Sequence, residues 1–204
     1  MNVYIVGYRG NMGDRYRKIV ENLGHRVGGE DVDTFLGFSR ANADAIIVAT
    51  PTSTHAQVLY DLRDCGRPIL CEKPITKDVD YLDDLIWSFK KAGTRLSMVN
   101  QYAELDDPAS EGMTAYNCTR HGDDGLFWDC ISLIRLARGP IELREDSDVW
   151  QCTLNGRQLC LDDVRAAYAT MIDRWLKDPT KTDYGDLLEA HRKVADLEAK
   201  CRVS

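Results

Sequence analysis

Short apolar runs alternate with amphipathic helical segments through the first half of the sequence, and this alternation limits the possible folds more than any other feature. Residues 45–49 are continuously apolar, as expected for a strand that a parallel sheet buries on both faces. Between such runs, side chains such as Tyr16 and Val20 recur at helical spacing. Strand and helix alternate about five times over residues 1–100, which predicts an α/β fold with a Rossmann-type doubly wound parallel sheet and right-handed crossovers.

The pattern loosens after residue 100, where residues 104–108 are typical of a loop. We therefore predict a first domain over residues 1–100 and a small, reduced α+β domain over residues 101–204. Only residues 33–42 connect the second and third predicted strands, so the crossover helix there is expected to be short or missing. In the second domain we expect a helix at residues 125–138 and two amphipathic helices toward the C-terminus.

The clearest local signal in the second half is the dipeptide Asn155-Gly156. It lies between two strand-like runs, residues 149–154 and 157–160. Asn-Gly favours the type I′ turn, whose twist matches that of two paired strands. The sequence therefore predicts a β-hairpin at this point.

A glycine-rich turn joins the first predicted strand to the first predicted helix, with Gly7, Gly10 and Gly13 in the spacing Gly-x-x-Gly-x-x-Gly. In that context glycines let a pyrophosphate approach the backbone and the N–H groups at the start of the helix. The alternative is a tight turn without a ligand. The predicted dinucleotide contacts are Gly7, Tyr8, Arg9, Gly10, Asn11 and Met12.

An acidic residue after the second strand normally accepts hydrogen bonds from the adenosine ribose. Glu30, Asp31 and Asp33 all lie near the expected place, and each is equally typical of a solvated turn. Arg9 and Arg26 favour a 2′-phosphate instead, so the predicted cofactor is NAD or NADP.

Two further segments follow predicted strands: residues 49–55, Ala-Thr-Pro-Thr-Ser-Thr-His, and residues 71–75, Cys-Glu-Lys-Pro-Ile. With the glycine loop they make residues 1–100 resemble the family of glucose-fructose oxidoreductase, inositol dehydrogenase and MocA proteins (Gfo/Idh/MocA). Both segments lie at the carboxyl ends of predicted parallel strands, where open α/β sheets bind ligands. The cofactor contacts that this resemblance implies are Thr50, Pro51, His55, Glu72 and Lys73.

The resemblance also implies that Lys73 lies beside the nicotinamide and transfers a proton at the substrate hydroxyl. The alternative is a surface lysine before a proline that ends a strand. Residues 128–139 resemble the family's Asp-x-Gly-x-His-x-x-Asp helix, but the two possible alignments place Leu133 or Ser132 at the histidine. Neither alignment places a titratable side chain at the position of the family histidine. His121 is the candidate catalytic replacement, with a simple turn residue or a metal ligand as alternatives.

The composition excludes several classes of function. A net charge of −7 and an isoelectric point near 5.1 disfavour nucleic acid as a partner, because phosphate backbones are bound by clustered Lys and Arg. No apolar run approaches the ~20 residues needed to cross a bilayer. The cysteines are widely spaced and include no Cys-x-x-Cys pair, which favours reduced thiols in the cytoplasm over disulfides or a zinc site.

Two functions are consistent with these features. The first is an NAD(P)-dependent oxidoreductase of a sugar, polyol or related hydroxy compound, with Lys73 near the substrate oxygen. The second is a dinucleotide-binding protein without turnover, which the missing His-x-x-Asp motif favours. We also expect a homodimer, because the family pairs through the sheet of its second domain and the predicted hairpin would otherwise leave an exposed edge.

Overall fold

The structure is a computed structural model that describes residues 1–31, 43–105, 112–116, 125–144, 151–179 and 184–202. It divides into two compact units. The first unit comprises Met1–Val99 and Ile172–Leu188, and the second comprises Asn100–Met171 and Glu189–Ser204. The first unit therefore takes in a segment from beyond the predicted boundary at residue 100.

The first unit contains a parallel sheet of five strands in the spatial order β2-β1-β3-β4-β5. The strands are β1 (Asn2–Val6), β2 (Arg26–Glu30), β3 (Ala45–Val48), β4 (Ile69–Cys71) and β5 (Leu96–Met98). The helices between them are α1 (Asn11–Asn22), α2 (Thr52–Leu62) and α3 (Val79–Ala92). The order reverses between β1 and β3, and right-handed crossovers then place α1 on the opposite face from α2 and α3. The predicted doubly wound Rossmann-type sheet is confirmed.

Burial and capping explain why these elements form. Every residue of β3 and β4 is buried and nearly all are aliphatic, as expected for central strands covered on both faces. Asp78 is the N-cap of helix α3, and its carboxylate accepts a hydrogen bond from the Tyr81 N–H at 3.0 Å. Gly93 caps the C-terminus of α3, and two lysines in its last turn interact favourably with the negative end of the helix dipole. The short crossover predicted at residues 33–42 lies outside the described residues.

The second unit contains a mixed sheet of four strands in the order β7-β6-β8-β9. β6 and β7 are parallel, and the other two pairs are antiparallel. The strands are β6 (Met113–Tyr116), β7 (Ile141–Arg144), β8 (Gln151–Leu154) and β9 (Arg157–Leu159). The remaining helices are α4 (Leu126–Asp129), α5 (Ile131–Leu136), α6 (Leu161–Lys177) and α7 (Tyr184–Arg202). The last two are the amphipathic helices that the sequence predicts.

The predicted hairpin is present in the described part of this sheet. Asn155 and Gly156 both have positive φ, 49° and 83°, as a type I′ turn requires. Leu154 pairs with Arg157 on either side of the turn. The Asn155 side chain is fully buried: its amide donates to the Leu136 carbonyl at 3.0 Å and accepts from the Arg138 N–H at 3.1 Å. The turn residue therefore also fixes the end of α5.

Two parts of the second unit differ from the sequence expectations. The helix predicted at residues 125–138 is two short helices, with a break at Cys130 (φ −89°, ψ 5°). Strands β6 and β7 were not predicted, because runs of four residues carry too little periodicity to be separated from loops. They are stabilised by pairing with each other and with β8.

Candidate functional site

Three segments with distinctive sequences meet at one edge of the first sheet. Val6, Val48 and Cys71 lie in one row of paired residues across β1, β3 and β4. The ladder continues one residue further, since the Ala49 N–H donates to the Val6 carbonyl and the Glu72 N–H donates to the Val48 carbonyl, each at 2.8 Å. The glycine loop, residues 49–55 and residues 71–75 thus follow neighbouring strands at their carboxyl ends, beside the point where strand order reverses. Open α/β sheets bind ligands at this place.

Two glycines of the loop are required by the protein's own packing. Gly7 has φ +89°, and a Cβ there would lie 2.6 Å from the Ala49 carbonyl oxygen. A Cβ on Gly13 would overlap the Gly7 carbonyl oxygen. These glycines let β1, β3 and the start of α1 approach one another closely. The Gly7 N–H also donates to the Glu30 carbonyl at 2.8 Å, which fixes the loop against the end of β2.

Gly10 differs from both. It is exposed, has an ordinary extended backbone (φ −68°, ψ 163°), and a Cβ there would meet the Gly7 carbonyl oxygen at 3.3 Å, a tight but small contact. Gly10 is the N-cap of α1, and no side chain of the described residues caps that end. The first-turn N–H groups, beginning with Asn11 and Met12, therefore have the geometry that binds an anion.

The acidic residues after β2 have different surroundings. The Asp31 carboxylate accepts a hydrogen bond from the Arg9 N–H at 2.9 Å, and the Arg9 guanidinium lies 3.5 Å from it. Glu30 faces Tyr4, and burial together with a hydrogen bond to this carboxylate raises the pKa of the Tyr4 hydroxyl. Asp33 lies outside the described residues. Of the two candidates that the structure describes, Asp31 is the one whose side chain contacts the glycine loop.

Arg26 is distant from this edge. It is the first residue of β2 and pairs with Asn2, whereas the glycine loop follows the last residue of β1. Four residues of extended chain separate the two ends by about 13 Å. Arg26 is therefore not positioned beside the loop for a 2′-phosphate. Arg9, whose side chain is 85% exposed, remains the basic residue of the loop itself.

Thr50 and Pro51 form the turn between β3 and α2. Thr50 is buried, and its hydroxyl has no hydrogen-bond partner among the described residues. Pro51 is exposed and its carbonyl accepts from both the N–H and the hydroxyl of Thr54, at 2.9 and 2.7 Å. A buried hydroxyl without a partner costs free energy, which favours a bound group or water beside it.

His55 lies one turn into α2 and is only 1% exposed. Its Nδ1 is 2.8 Å from the Pro74 carbonyl oxygen and its Nε2 is 2.8 Å from the Thr50 carbonyl oxygen. Both ring nitrogens are therefore occupied by backbone groups. This arrangement favours a structural role for the ring over direct contact with a cofactor.

Glu72 and Lys73 follow β4. The Glu72 carboxylate is buried, accepts a short hydrogen bond from the Tyr16 hydroxyl, and also accepts from the Lys73 N–H at 3.0 Å. Burial and the neighbouring Glu72 charge raise the pKa of the Cys71 thiol, so Cys71 is not poised as a nucleophile. The Lys73 side chain is half-buried. The sequence indicates Tyr16 only as one position of a helical apolar stripe. A polar hydroxyl on a buried helix face normally has a hydrogen-bond partner, and that signal could have identified the contact.

The second unit carries fewer candidate groups. Ser132 and Leu133, the two positions that align with the family histidine, are buried in α5. His121 lies outside the described residues. His191 is fully buried on α7, with its ring centroid 6.0 Å from that of Trp128, and is a core residue of this unit. Across the described ranges no three His, Cys, Asp or Glu side chains cluster as metal ligands. No described helix combines the length and apolar character that a membrane span needs.

Comparison with known proteins gives a consistent result for the first half of the chain. Residues 14–100 match the model of an oxidoreductase family with an NAD-binding Rossmann fold. The inositol 2-dehydrogenase of Mycolicibacterium smegmatis is 33% identical over 90 residues, which cover 44% of this chain and 26% of that protein. The match thus spans about a quarter of that relative's length.

Solved structures resemble the chain over nearly its full length. A myo-inositol dehydrogenase from Corynebacterium glutamicum has a TM-score of 0.71 at 15% identity, covering 98% of this chain and 96% of that one. The WlbA dehydrogenase from Thermus thermophilus, solved with NAD and UDP-GlcNAcA, has a TM-score of 0.69 at 14% identity, covering 97% and 94%. At such identities the likeness concerns the fold alone. The family match over residues 14–100 includes the segments 49–55 and 71–75, and this part of the chain is similar to the Gfo/Idh/MocA family of oxidoreductases.

Proposed function

We propose that the chain binds a nicotinamide dinucleotide at the carboxyl edge of the first sheet and oxidises or reduces a hydroxy compound of the polyol or sugar class. One observation carries this proposal. The glycine loop, the Thr50-Pro51 turn and the Glu72-Lys73 turn follow three adjacent parallel strands whose last residues are in register. The three motifs therefore lie side by side at one edge of the sheet, where a dinucleotide and its substrate can contact all of them.

The residues present fit a dinucleotide. The uncapped start of α1 supplies N–H groups for the pyrophosphate, and the small Gly10 leaves the backbone accessible. The Thr50 hydroxyl, for which the described ranges offer no partner, is available for a hydrogen bond from or to the ligand. When bound, the nicotinamide would supply hydride transfer.

Asp31 favours NAD over NADP in this proposal. Its carboxylate is held beside the glycine loop by the Arg9 N–H, where it accepts hydrogen bonds from a ribose diol and repels a 2′-phosphate. Arg9 is the opposing influence, since its guanidinium neutralises part of that charge. We expect NADH to bind more tightly than NADPH. An Asp31→Asn substitution should reduce the ratio of the two dissociation constants.

Lys73 is the proposed acid/base residue. Lys73 lies in the turn after β4, and the strand paired with β4 is β3, which the Thr50-Pro51 turn follows. The amino group of a lysine is suited to hold and move the proton of a substrate hydroxyl. Inositol-like polyols are the proposed substrates, because relatives of the first half of the chain are inositol 2-dehydrogenases. We propose that the second unit contributes the substrate contacts and the oligomer interface, and that His121 replaces the absent family histidine.

A matched pair of assays tests this function. Fluorescence titration with NADH and NADPH measures binding, and oxidation of myo-inositol and a panel of sugars with NAD or NADP measures turnover. We expect saturable binding and turnover of at least one polyol. No binding at millimolar dinucleotide would contradict the whole proposal.

The second candidate function is dinucleotide binding without turnover. It is favoured by Ser132 and Leu133, which are buried and place no titratable base at the position of the family histidine. Saturable NADH binding with no turnover on any polyol or sugar would support this candidate. His121→Asn separates the two, since loss of turnover there would assign the base.

A further inference from the structure

The Glu72-Lys73 turn is held from the side of α1. The Glu72 carboxylate accepts hydrogen bonds with both of its oxygens, one from the Tyr16 hydroxyl and the other from the Lys73 N–H at 3.0 Å. Tyr16 is fully buried, and Glu72 is 7% exposed. A buried carboxylate is costly unless it is hydrogen-bonded, so this contact strongly favours a single conformation of the turn.

The same turn is held from the side of α2. His55 contacts the Pro74 carbonyl through Nδ1 and the Thr50 carbonyl through Nε2, both at 2.8 Å. The residue before Lys73 is thus fixed through its side chain, Lys73 through its N–H, and the residue after it through its carbonyl. The lysine backbone is constrained at three consecutive positions.

These three side chains are poor candidates for cofactor ligands. Tyr16 and Glu72 contact each other, His55 contacts the Pro74 and Thr50 carbonyls, and all three side chains are buried within the first unit. Their partners instead surround the one residue of the turn whose long side chain is half-exposed, Lys73. The arrangement fixes where that side chain starts and in which direction it leaves the backbone.

We propose that Tyr16, Glu72 and His55 form a positioning clamp that sets the orientation of Lys73 and links it to the helix that begins at the glycine loop. Tyr16 lies one turn after Gly13 on α1, so the helix that presents its N-terminus to the dinucleotide also holds the lysine turn. The rate of an enzyme reaction is sensitive to a displacement of about 1 Å in a catalytic group. The kinetic consequence of the clamp rests on the proposed function, whereas its structural consequence does not.

Amide hydrogen exchange tests the clamp directly, without cofactor or substrate. Tyr16→Phe keeps the ring and removes the hydroxyl, and we expect exchange at the Lys73 N–H to accelerate by ~10-fold or more as the Glu72 carboxylate loses its anchor. Tyr184→Phe is the matched control, because Tyr184 donates to the Thr94 carbonyl at 2.7 Å elsewhere in the same unit. Unchanged Lys73 exchange in a folded Tyr16→Phe protein, or equal acceleration in the control, would overturn the proposal.

The histidine arm is tested by two partial replacements. In His55→Asn the side-chain amide takes the place of Nδ1 and keeps the Pro74 contact, whereas in His55→Gln it takes the place of Nε2 and keeps only the Thr50 contact. We expect Lys73 exchange to stay near that of the wild type in the Asn variant and to accelerate in the Gln variant. The reverse order, or identical behaviour, would remove His55 from the clamp.

Kinetics supply the positioning readout. In a wild type that turns over a polyol, Tyr16→Phe should lower kcat ~10-fold with little change in KM for the dinucleotide, as expected when a catalytic group is displaced. Tyr184→Phe should leave both within about twofold. Equal kcat in the wild type and the Tyr16→Phe variant would overturn the proposal. A wild type without turnover would instead contradict the proposed function, and the exchange measurements would still decide the clamp.

Discussion

The glycines of the first loop serve different purposes, although the sequence spaces them evenly. Gly7 and Gly13 lie where a Cβ would run into backbone carbonyl oxygens, so they are needed for the fold. Gly10 has ordinary φ and ψ and faces solvent, so the fold tolerates a side chain there. Substitutions at Gly7 or Gly13 therefore test folding, whereas a substitution at Gly10 tests ligand binding.

Gly10→Val should therefore fold and fail to bind. Its Cβ needs a shift of only a few tenths of an ångström against the Gly7 carbonyl, but its methyl groups would cover the start of α1, which is the proposed pyrophosphate site. We expect dinucleotide affinity to fall by ~10-fold or more, with a melting temperature close to that of the wild type. Gly13→Ala is the comparison and should lower the free energy of unfolding by about 2 kcal/mol or more. A Gly10→Val protein that binds NADH normally would argue against a dinucleotide at this loop.

Lys73→Met tests the lysine as acid/base. Methionine keeps most of the apolar stem but cannot accept or donate a proton, so turnover should fall ~100-fold while dinucleotide affinity changes much less. Lys91→Met on α3, whose ammonium lies 5.0 Å from the Trp87 ring centroid, is the control and should retain activity. Unchanged turnover in the Lys73 variant would leave this residue with a structural role.

At the scale of elements, the first sheet follows from local sequence, whereas much of the second does not. β3 is recognisable in the sequence as a continuous apolar run, and α3 as a capped segment with amphipathic helical periodicity. β6 and β7 are four residues each, and their pairing depends on partners far along the chain. Chain order and the carboxyl ends of the predicted parallel strands were enough to predict that the three motifs lie at one sheet edge.

The contacts within the site were less predictable. The Tyr16 hydroxyl and the Glu72 carboxylate are 56 positions apart, and the His55 ring and the Pro74 carbonyl are 19 apart. Which side chains of a motif face a ligand and which face the protein depends on the packing of α1 and α2 against the sheet. A motif alone does not distinguish these two roles.

The hairpin of the second unit carries a testable element. Asn155 combines positive φ with two side-chain hydrogen bonds to the end of α5, so Asn155→Ala removes both and strains the turn. We expect a loss of about 2–3 kcal/mol in the free energy of unfolding, measured by urea denaturation. Gln158→Ala on the exposed part of β9 should change it by less than about 0.5 kcal/mol. Equal stability of the two variants would mean that the buried asparagine contacts contribute nothing.

At the scale of the whole molecule, the open prediction is the homodimer. In the second sheet β9 is an edge among the described strands, and an unpaired edge invites association unless something covers it. We expect sedimentation at micromolar concentration to give twice the 23.1 kDa mass of one chain. A mass near that of a single chain over a dilution series would contradict the dimer.

The aligned row of Val6, Val48 and Cys71 also determines where the chain tolerates changes of length. A residue added to a connection at the amino ends of the strands leaves the row intact and should be nearly neutral. A single deletion inside β3 shifts every later residue of that strand by one place and turns its side chains to the opposite face of the sheet. It would also draw Thr50 back from the edge where Gly7 follows β1. Insertions and deletions among natural variants of this chain should accordingly cluster between the strands and be absent within them.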